Sequence, residues 1–543
     1  MTLDRPWFRN WPSDIPTHVD FQEKSIVDLI RGHAAADGDK IALADEMGNK
    51  LTYSELWRNS SLFAYSLHNL GVDKGDKVAL FTVNSLSAVE ALYGLWKAGA
   101  SVVMIDPTSM SEDLYEQLSD SNPKAIVTDK ETYSREKDTL DKIKSIEHRI
   151  ILGENYEEFK IGDEDFYEKI NPRVDNAVIF YYAGIVGRTE QVLHSHFGLY
   201  SCSLSSSTMK KITPTSTTLL TSPMTHVLGL MTVLATNLAG GTTAIMRRFN
   251  TEKAISMIKN LNVTHVIAAP YVYDQILNID TNLPSLKLCV SGGAPLSPDT
   301  QVNFHKKFKV PLVQEYGMTE TLLLTFQLPN LADRVGTVGV PMLGVDAKIV
   351  DEGSRELNVG EVGELIVKAP WVMQGYKDPD DTAKAIKDGW VYTGDLMTID
   401  SDGLLYFRGV KKRMIKYKGY PVFPRDLEII LMRHPAVKEV KVEGKEDKEV
   451  GQKPVAYVKL REDYSPKPSE EELMNFINQR VAAYKKIREL YIIEDRRSLP
   501  TLETVKCLEC NEVFIPSLFT YIDIRLPVCP RCGSYKTVLI RRK

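Results

Sequence analysis

Two Cys-x-x-Cys pairs near the end of the chain carry the most specific chemical signal in the sequence. Cys507-Leu508-Glu509-Cys510 is followed by Cys529-Pro530-Arg531-Cys532-Gly533. Four thiolates spaced this way can close a tetrahedral site around Zn²⁺. Gly533 lets the backbone turn beneath the metal. With all four positions filled, such a site is structural: it holds a tail together or docks a protein partner, and leaves no open position for catalysis. A pair of redox dithiols is the alternative, and a reducing compartment favours zinc. The other two cysteines, Cys202 and Cys289, stand alone in apolar stretches and read as buried thiols.

The elements that must position any chemistry come next. The chain has 543 residues, 67 Lys+Arg against 72 Asp+Glu, and a formal charge of −5. With 43% hydrophobic and 26% charged residues it has the balance of a globular protein with ample core material. At about 150 residues per domain, three or four domains are expected. The near-balanced charge gives no electrostatic reason to expect a nucleic-acid partner. The start, Met1-Thr2-Leu3-Asp4-Arg5-Pro6, lacks the basic-then-apolar pattern of a signal peptide. The longest apolar region, Leu228 to Met246, is broken by Asn237 and Gly240-Gly241. It predicts a buried helix, a turn and a strand in place of a membrane span. A cytoplasmic protein is the expectation.

Periodicity predicts a helix over Ser54–Leu70, a strand over Lys77–Thr82, a helix over Ala88–Lys97 and a strand over Ala100–Ile105. Short strands joined by helices of this length imply parallel pairing. Strands are expected again over Glu361–Lys368 and Leu404–Arg408, and helices around Pro424–His434 and Ser469–Tyr484. The reading is an α/β protein. A large N-terminal domain of layered α/β subdomains spans 1–412, a small α+β domain 413–503 and a zinc ribbon 504–543.

Five segments occur in a telling order. They are Ser291-Gly292-Gly293-Ala294-Pro295-Leu296-Ser297, Gln314-Glu315-Tyr316-Gly317-Met318-Thr319-Glu320-Thr321, Tyr392-Thr393-Gly394-Asp395-Leu396, Ile415-Lys416-Tyr417-Lys418-Gly419-Tyr420 and Pro424-Arg425-Asp426-Leu427-Glu428. Together they resemble the acyl-adenylate-forming superfamily, the AMP-binding acyl-CoA synthetases, from about Ile41 to about Lys506. The resemblance implies an ATP-dependent carboxylate–CoA ligase. A carboxylate attacks the α-phosphate of ATP, pyrophosphate leaves, and coenzyme A then displaces AMP. ATP, a carboxylic acid and coenzyme A would be the small-molecule partners, with Mg²⁺ accompanying ATP. Glu320 would hold Mg²⁺, which prefers hard oxygen ligands, and Thr319 would contact phosphate. Glu315, Tyr316, Gly317 and Met318 would lie along the nucleotide. Gly292, Gly293, Ala294 and Pro295 would lie against adenine, where only small residues let a base approach the backbone. Asp395 would bind the ribose hydroxyls, and His226 would line the acyl pocket. Gly419 would approach the pantetheine arm, and Lys506 would bridge the attacking carboxylate and the α-phosphate.

Three departures from the family pattern stand out. The phosphate loop, Tyr181 to His196, keeps Gly184 and Gly187, so its backbone can still curl around an anion. Its hydroxyls are largely gone, and the expected lysine is Glu190. That exchange costs a few kcal/mol at an effective dielectric of about 20, and Arg188 offsets part of it if it turns inward. The family's ribose-binding arginine is Val410, with Arg408 two residues earlier on the same strand face. Val505 replaces the glycine before the catalytic lysine. These departures keep two other readings open: a non-catalytic nucleotide or acyl-CoA binder docked through its zinc ribbon, and an adenylating enzyme that loads a carrier-protein thiol. Ser195 has no acidic partner placed to orient a base, so it does not read as a nucleophile.

Overall fold

A computed structural model describes residues 5–109, 111–182, 190–411, 414–417, 420–447, 450–481, 485–493, 504–507, 513–514 and 537–540. Local chemistry sets the first elements. Thr52 and Glu55 form a reciprocal capping box that starts the helix Tyr53–Asn69. Ser85 caps the helix Leu86–Lys97, which is apolar on nearly every side and buried from Ala88 to Lys97. The strand between them is Lys77–Phe81. All three lie within two residues of their sequence-predicted bounds. The apolar region after His226 folds as the helix Val227–Leu238 and the strand Thr242–Ile245, joined by a turn. Among the described residues, no helix is long and apolar enough to cross a membrane.

Two sheets dominate the first part of the chain. One has seven strands in the order Gly375–Tyr376, Glu190–Ser195, Asn176–Tyr182, Ser101–Met104, Lys77–Phe81, Ala125–Asp129, His148–Leu152. The five strands from Asn176–Tyr182 onward in that order pair parallel, as the helix-linked pattern required. The other has nine strands, with Leu288–Ser291, His265–Ala268, Thr217–Leu220 and Thr242–Ile245 at its parallel centre. Both sheets end in antiparallel hairpins at one edge: Asn176–Tyr182 with Glu190–Ser195, and Leu312–Met318 with Leu322–Phe326. A third, five-stranded sheet contains Gly363–Lys368 and Trp390–Ile399, to which Leu405–Val410 pairs.

The chain divides into two compact units. The first comprises 1–347, 366–392 and 401–405, and the second 348–365, 393–400 and 406–543. The second unit has its own core, in which Leu427, Leu431, Val440, Val458, Leu473 and Ile477 pack together. Its helix Glu470–Asn478 begins at a Ser469–Glu472 capping box and is shorter than the sequence suggested. The tail forms a three-stranded antiparallel sheet of Thr504–Cys507, Val513–Phe514 and Thr537–Ile540.

Candidate active site

Thr319 and Glu320 sit in the tight turn between the strands Leu312–Met318 and Leu322–Phe326. The turn demands the sequence it has. The hairpin register shifts between Tyr316 and Gly317. A Cβ on Gly317 would lie 1.9 Å from the Leu322 carbonyl oxygen, so only glycine fits. Both Thr319 and Glu320 are buried. Tyr376 Oη donates to Glu320 Oε1 at 2.8 Å, and the Met373 amide donates to the Glu320 carbonyl at 2.8 Å. Burial, and next Glu320 beside it, push the Tyr376 hydroxyl up, so it stays a donor.

The second hairpin reaches the same corner. His194 Nε2 donates to the Thr319 carbonyl at 2.7 Å. Burial pushes His194 down to about 4, so the ring is neutral at pH 7. The strand Gly375–Tyr376 pairs with this hairpin through Gly375 and Leu193. Thus Tyr376 and His194, two residues that the motif reading did not single out, hold the corner that Thr319 and Glu320 form. Their own stretches carry no periodic or spacing signal for that role. Asp120 ties down the hairpin ends, accepting from Tyr181 Oη at 2.7 Å and Gln191 Nε2 at 2.5 Å and pairing with Lys377.

Glu190 pairs across from Tyr182 at the mouth of this hairpin. One carboxylate oxygen each from Glu190, Asp378 and Asp381 lies within 4.8 Å of the others. Lys384 Nζ is 2.7 Å from Asp381 Oδ1. Glu190 therefore stands among further carboxylates. Gly184, Gly187 and Arg188 lie outside the described residues.

On the other side of the turn, the Gly292–Gly293 segment follows the strand Leu288–Ser291. A Cβ on Gly292 would meet Glu315 Cγ at 3.0 Å and Leu228 Cδ1 at 3.1 Å. Glu315 is a buried residue paired to Lys210 Nζ at 2.7 Å, with both side chains almost completely enclosed. Removing one partner of such a pair strands a buried charge, at a cost of about 3–5 kcal/mol. Glu315 thus supports the Gly292 segment from beneath. Leu228 belongs to the helix that His226 caps. His226 Nε2 lies 2.6 Å from Asp106 Oδ2. Ser195 Oγ accepts from the Gly198 amide, so it is the cap of the helix His196–Met209.

The remaining predicted residues belong to the second unit. Asp395 lies on the strand Trp390–Ile399, and its amide donates to Thr393 Oγ1 at 3.1 Å. Arg408 lies on the paired strand Leu405–Val410 and donates from Nε to Thr398 Oγ1 at 3.2 Å. Lys506 and Cys507 lie on the strand Thr504–Cys507. Gly419, Cys510, Cys529 and Cys532 lie outside the described residues. Cys202 and Cys289 are buried, and burial pushes the Cys202 thiol up to about 12, which keeps it protonated and inert.

The AMP-binding enzyme family matches residues 30–377, and the AMP-binding enzyme C-terminal domain matches residues 426–504. The chain belongs to this family. It is similar to a 4-coumarate–CoA ligase-like protein of Oryza sativa, 30% identical over 90% of this chain and 92% of that one. It is also similar to the long-chain-fatty-acid–CoA ligase of Bacillus subtilis, 30% identical over 94% of this chain and 97% of that one. Among solved structures, ATP-bound MatB from Rhodopseudomonas palustris superposes with a TM-score of 0.79 at 26% identity, covering 86% of this chain and 95% of that one. The o-succinylbenzoate CoA synthetase of Bacillus subtilis, in complex with its acyl-adenylate intermediate, gives 0.77 at 26% identity, over 87% of this chain and 95% of that one.

Proposed function

We propose that this protein is an ATP-dependent carboxylate–CoA ligase that works through an acyl-adenylate. The observation that carries the reading is the Thr319–Glu320 turn, buried and held from the second hairpin by His194 and Tyr376. In the first half-reaction, an oxygen of the acid bonds to the α-phosphorus of ATP, and the bond to the bridging oxygen breaks to release pyrophosphate. In the second, the CoA sulfur loses its proton and bonds to the acyl carbon, and AMP leaves with the electron pair. The protein's task is to hold reactants in line and to balance charge.

Glu320 is the ligand we assign to Mg²⁺, with Thr319 on phosphate. The carboxylate oxygens of this corner suit a hard cation, which when bound neutralises phosphate charge. Gly184, Gly187, Arg188, Gly292, Gly293, Ala294, Pro295 and the 315–318 strand end take the nucleotide. Asp395 and Arg408 take the ribose. His226 faces the acid, Gly419 the pantetheine arm, and Lys506 the attacking carboxylate. The division at 412/413, the zinc ribbon with Cys507, Cys510, Cys529 and Cys532, its docking role and a cytoplasmic location belong to the same proposal.

Pyrophosphate release with a panel of short, medium and aromatic acids, with and without CoA, tests it. Turnover that vanishes in Lys506→Ala supports the ligase. Adenylate that accumulates until a carrier protein is added replaces CoA with a carrier thiol. The Glu190–Asp378–Asp381 cluster favours a second reading, a nucleotide or acyl-CoA binder without turnover. Binding without pyrophosphate from any acid would establish that reading and sink the first. A metal assay should find one zinc per chain, and a folded, metal-free chain removes the ribbon.

A further inference from the structure

The contact between Asp106 and His226 is built from both sides. Both Asp106 oxygens are committed. Oδ1 accepts from the Thr108 amide at 2.6 Å and the Thr108 hydroxyl at 2.5 Å, and Oδ2 lies 2.6 Å from His226 Nε2. The loop that carries Asp106 is clamped by Arg135, whose Nη2 donates to the carbonyls of Pro107 at 2.7 Å and Ser109 at 3.2 Å. On the other side, His226 heads the helix Val227–Leu238 but makes no side-chain bond to its amides. The turn before it is tied down by Asn84, which accepts from the Met224 amide at 2.8 Å and donates to the Ser222 carbonyl at 2.9 Å. The His226 side chain is 31% exposed and that of Asp106 12%, so the acid is the inner member and the ring the outer one. Leu228, two residues on, packs against Gly292. His226 therefore heads the helix whose Leu228 reaches the Gly292 segment.

We infer that Asp106 is a positioning residue that holds the His226 ring in one orientation and as an imidazolium, so that a fixed positive charge stands where the acid's carboxylate binds. The inference rests on the ligase reading for what the charge attracts. Burial alone would raise the Asp106 carboxyl, yet the charge and hydrogen bond of His226, with the bonds from Thr108, hold it down at about 2. Asp106 is thus ionised throughout the working range. Arg135 pairs with Glu136, Glu315 with Lys210, and the helix from Val227 to Leu238 carries no ionisable residue. A partner that favours the protonated ring delays its loss of charge as pH rises. Acid binding stays strong below that point and weakens above it.

The test is Asp106→Asn in the full chain, an almost isosteric change that removes only the charge. We read KM for the acid and kcat for adenylation from pH 6 to 9. The expected result is a KM that begins to rise about one pH unit or more earlier than in the wild type. Toward pH 6 the two KM values should converge. Adenylation kcat moves less than KM at every pH. His226→Gln should give a raised KM that no longer depends on pH through this ring, and adding Asp106→Asn to it should change nothing further. A KM raised by one constant factor at all pH values would mean a merely structural role and overturn the inference, as would an unchanged KM. Histidine ring NMR supplies a readout apart from activity: the resonance missing in His226→Gln should titrate lower in Asp106→Asn. An unmoved midpoint overturns the inference. If no acid yields adenylate, the ligase reading falls, while the ring titration still decides the role of Asp106.

Discussion

The two edge hairpins make an instructive pair. Each follows a run of parallel strands, and His194 of one reaches the Thr319 turn of the other. One is a tight turn whose backbone permits only glycine at 317 and whose carboxylate is met by a tyrosine hydroxyl. The other joins Tyr182 to Glu190 through seven residues and carries a buried carboxylate where the strand resumes, at Glu190. A site built on close packing tolerates little change, because each group is fixed by neighbours.

Changes in the tight turn should be the most costly. Glu320→Ala should lower ATP–pyrophosphate exchange by about 10²–10³-fold, the scale of losing one charge-stabilising group. Retained exchange would place the essential carboxylate in the other hairpin. Gly317→Ala should cost about 3 kcal/mol in a urea unfolding experiment, since its Cβ meets backbone that cannot yield. A loss below 1 kcal/mol would show that the turn relaxes.

The histidines of the second hairpin give a pH signature. Burial pushes His194 to about 4 and His196 to about 3, below their value in the unfolded chain. Between about pH 6.5 and those values the unfolded state binds more protons, so stability falls as pH falls, by about 1.4 kcal/mol per unit for each ring. Above about pH 6.5 this contribution is flat. His194→Gln should remove its share of the slope, read from urea midpoints at pH 7, 6 and 5.

Glu190→Gln gives a smaller effect whose sign decides between the hairpins' roles. If Glu190 only repels phosphate, KM for ATP should drop by about 1–2 kcal/mol, or fivefold to thirtyfold. If its cluster with Asp378 and Asp381 holds a cation that ATP needs, KM should rise instead. Tyr376→Phe should cost the least, about 1 kcal/mol in adenylation, the worth of one hydrogen bond. A larger loss would make the tyrosine an essential part of the corner.

Much of this was legible from residue pattern. The helical spacing of Ser54–Leu70, the helix read over Ala88–Lys97 and the interrupted stretch from Leu228 to Met246 each gave the element that forms. Local periodicity and capping act over a few residues, so they survive in one dimension. The helix after Ser469 was overestimated because its cap is local while its end depends on packing against the second unit's core. Tyr376, His194 and Asp106 were not found, because each acts on a residue far away in the chain.

The sequence by itself determined the parallel α/β layering, the family motifs with their order, and the acidic side chain at position 190. Only the tertiary structure decided that two hairpins from different sheets share one corner, and that Glu190 gathers Asp378 and Asp381 while Asp106 takes His226. The reason is physical. Hydrophobic period and turn chemistry are properties of neighbouring residues, whereas a hydrogen bond across 120 positions exists only after the sheets have packed and excluded water.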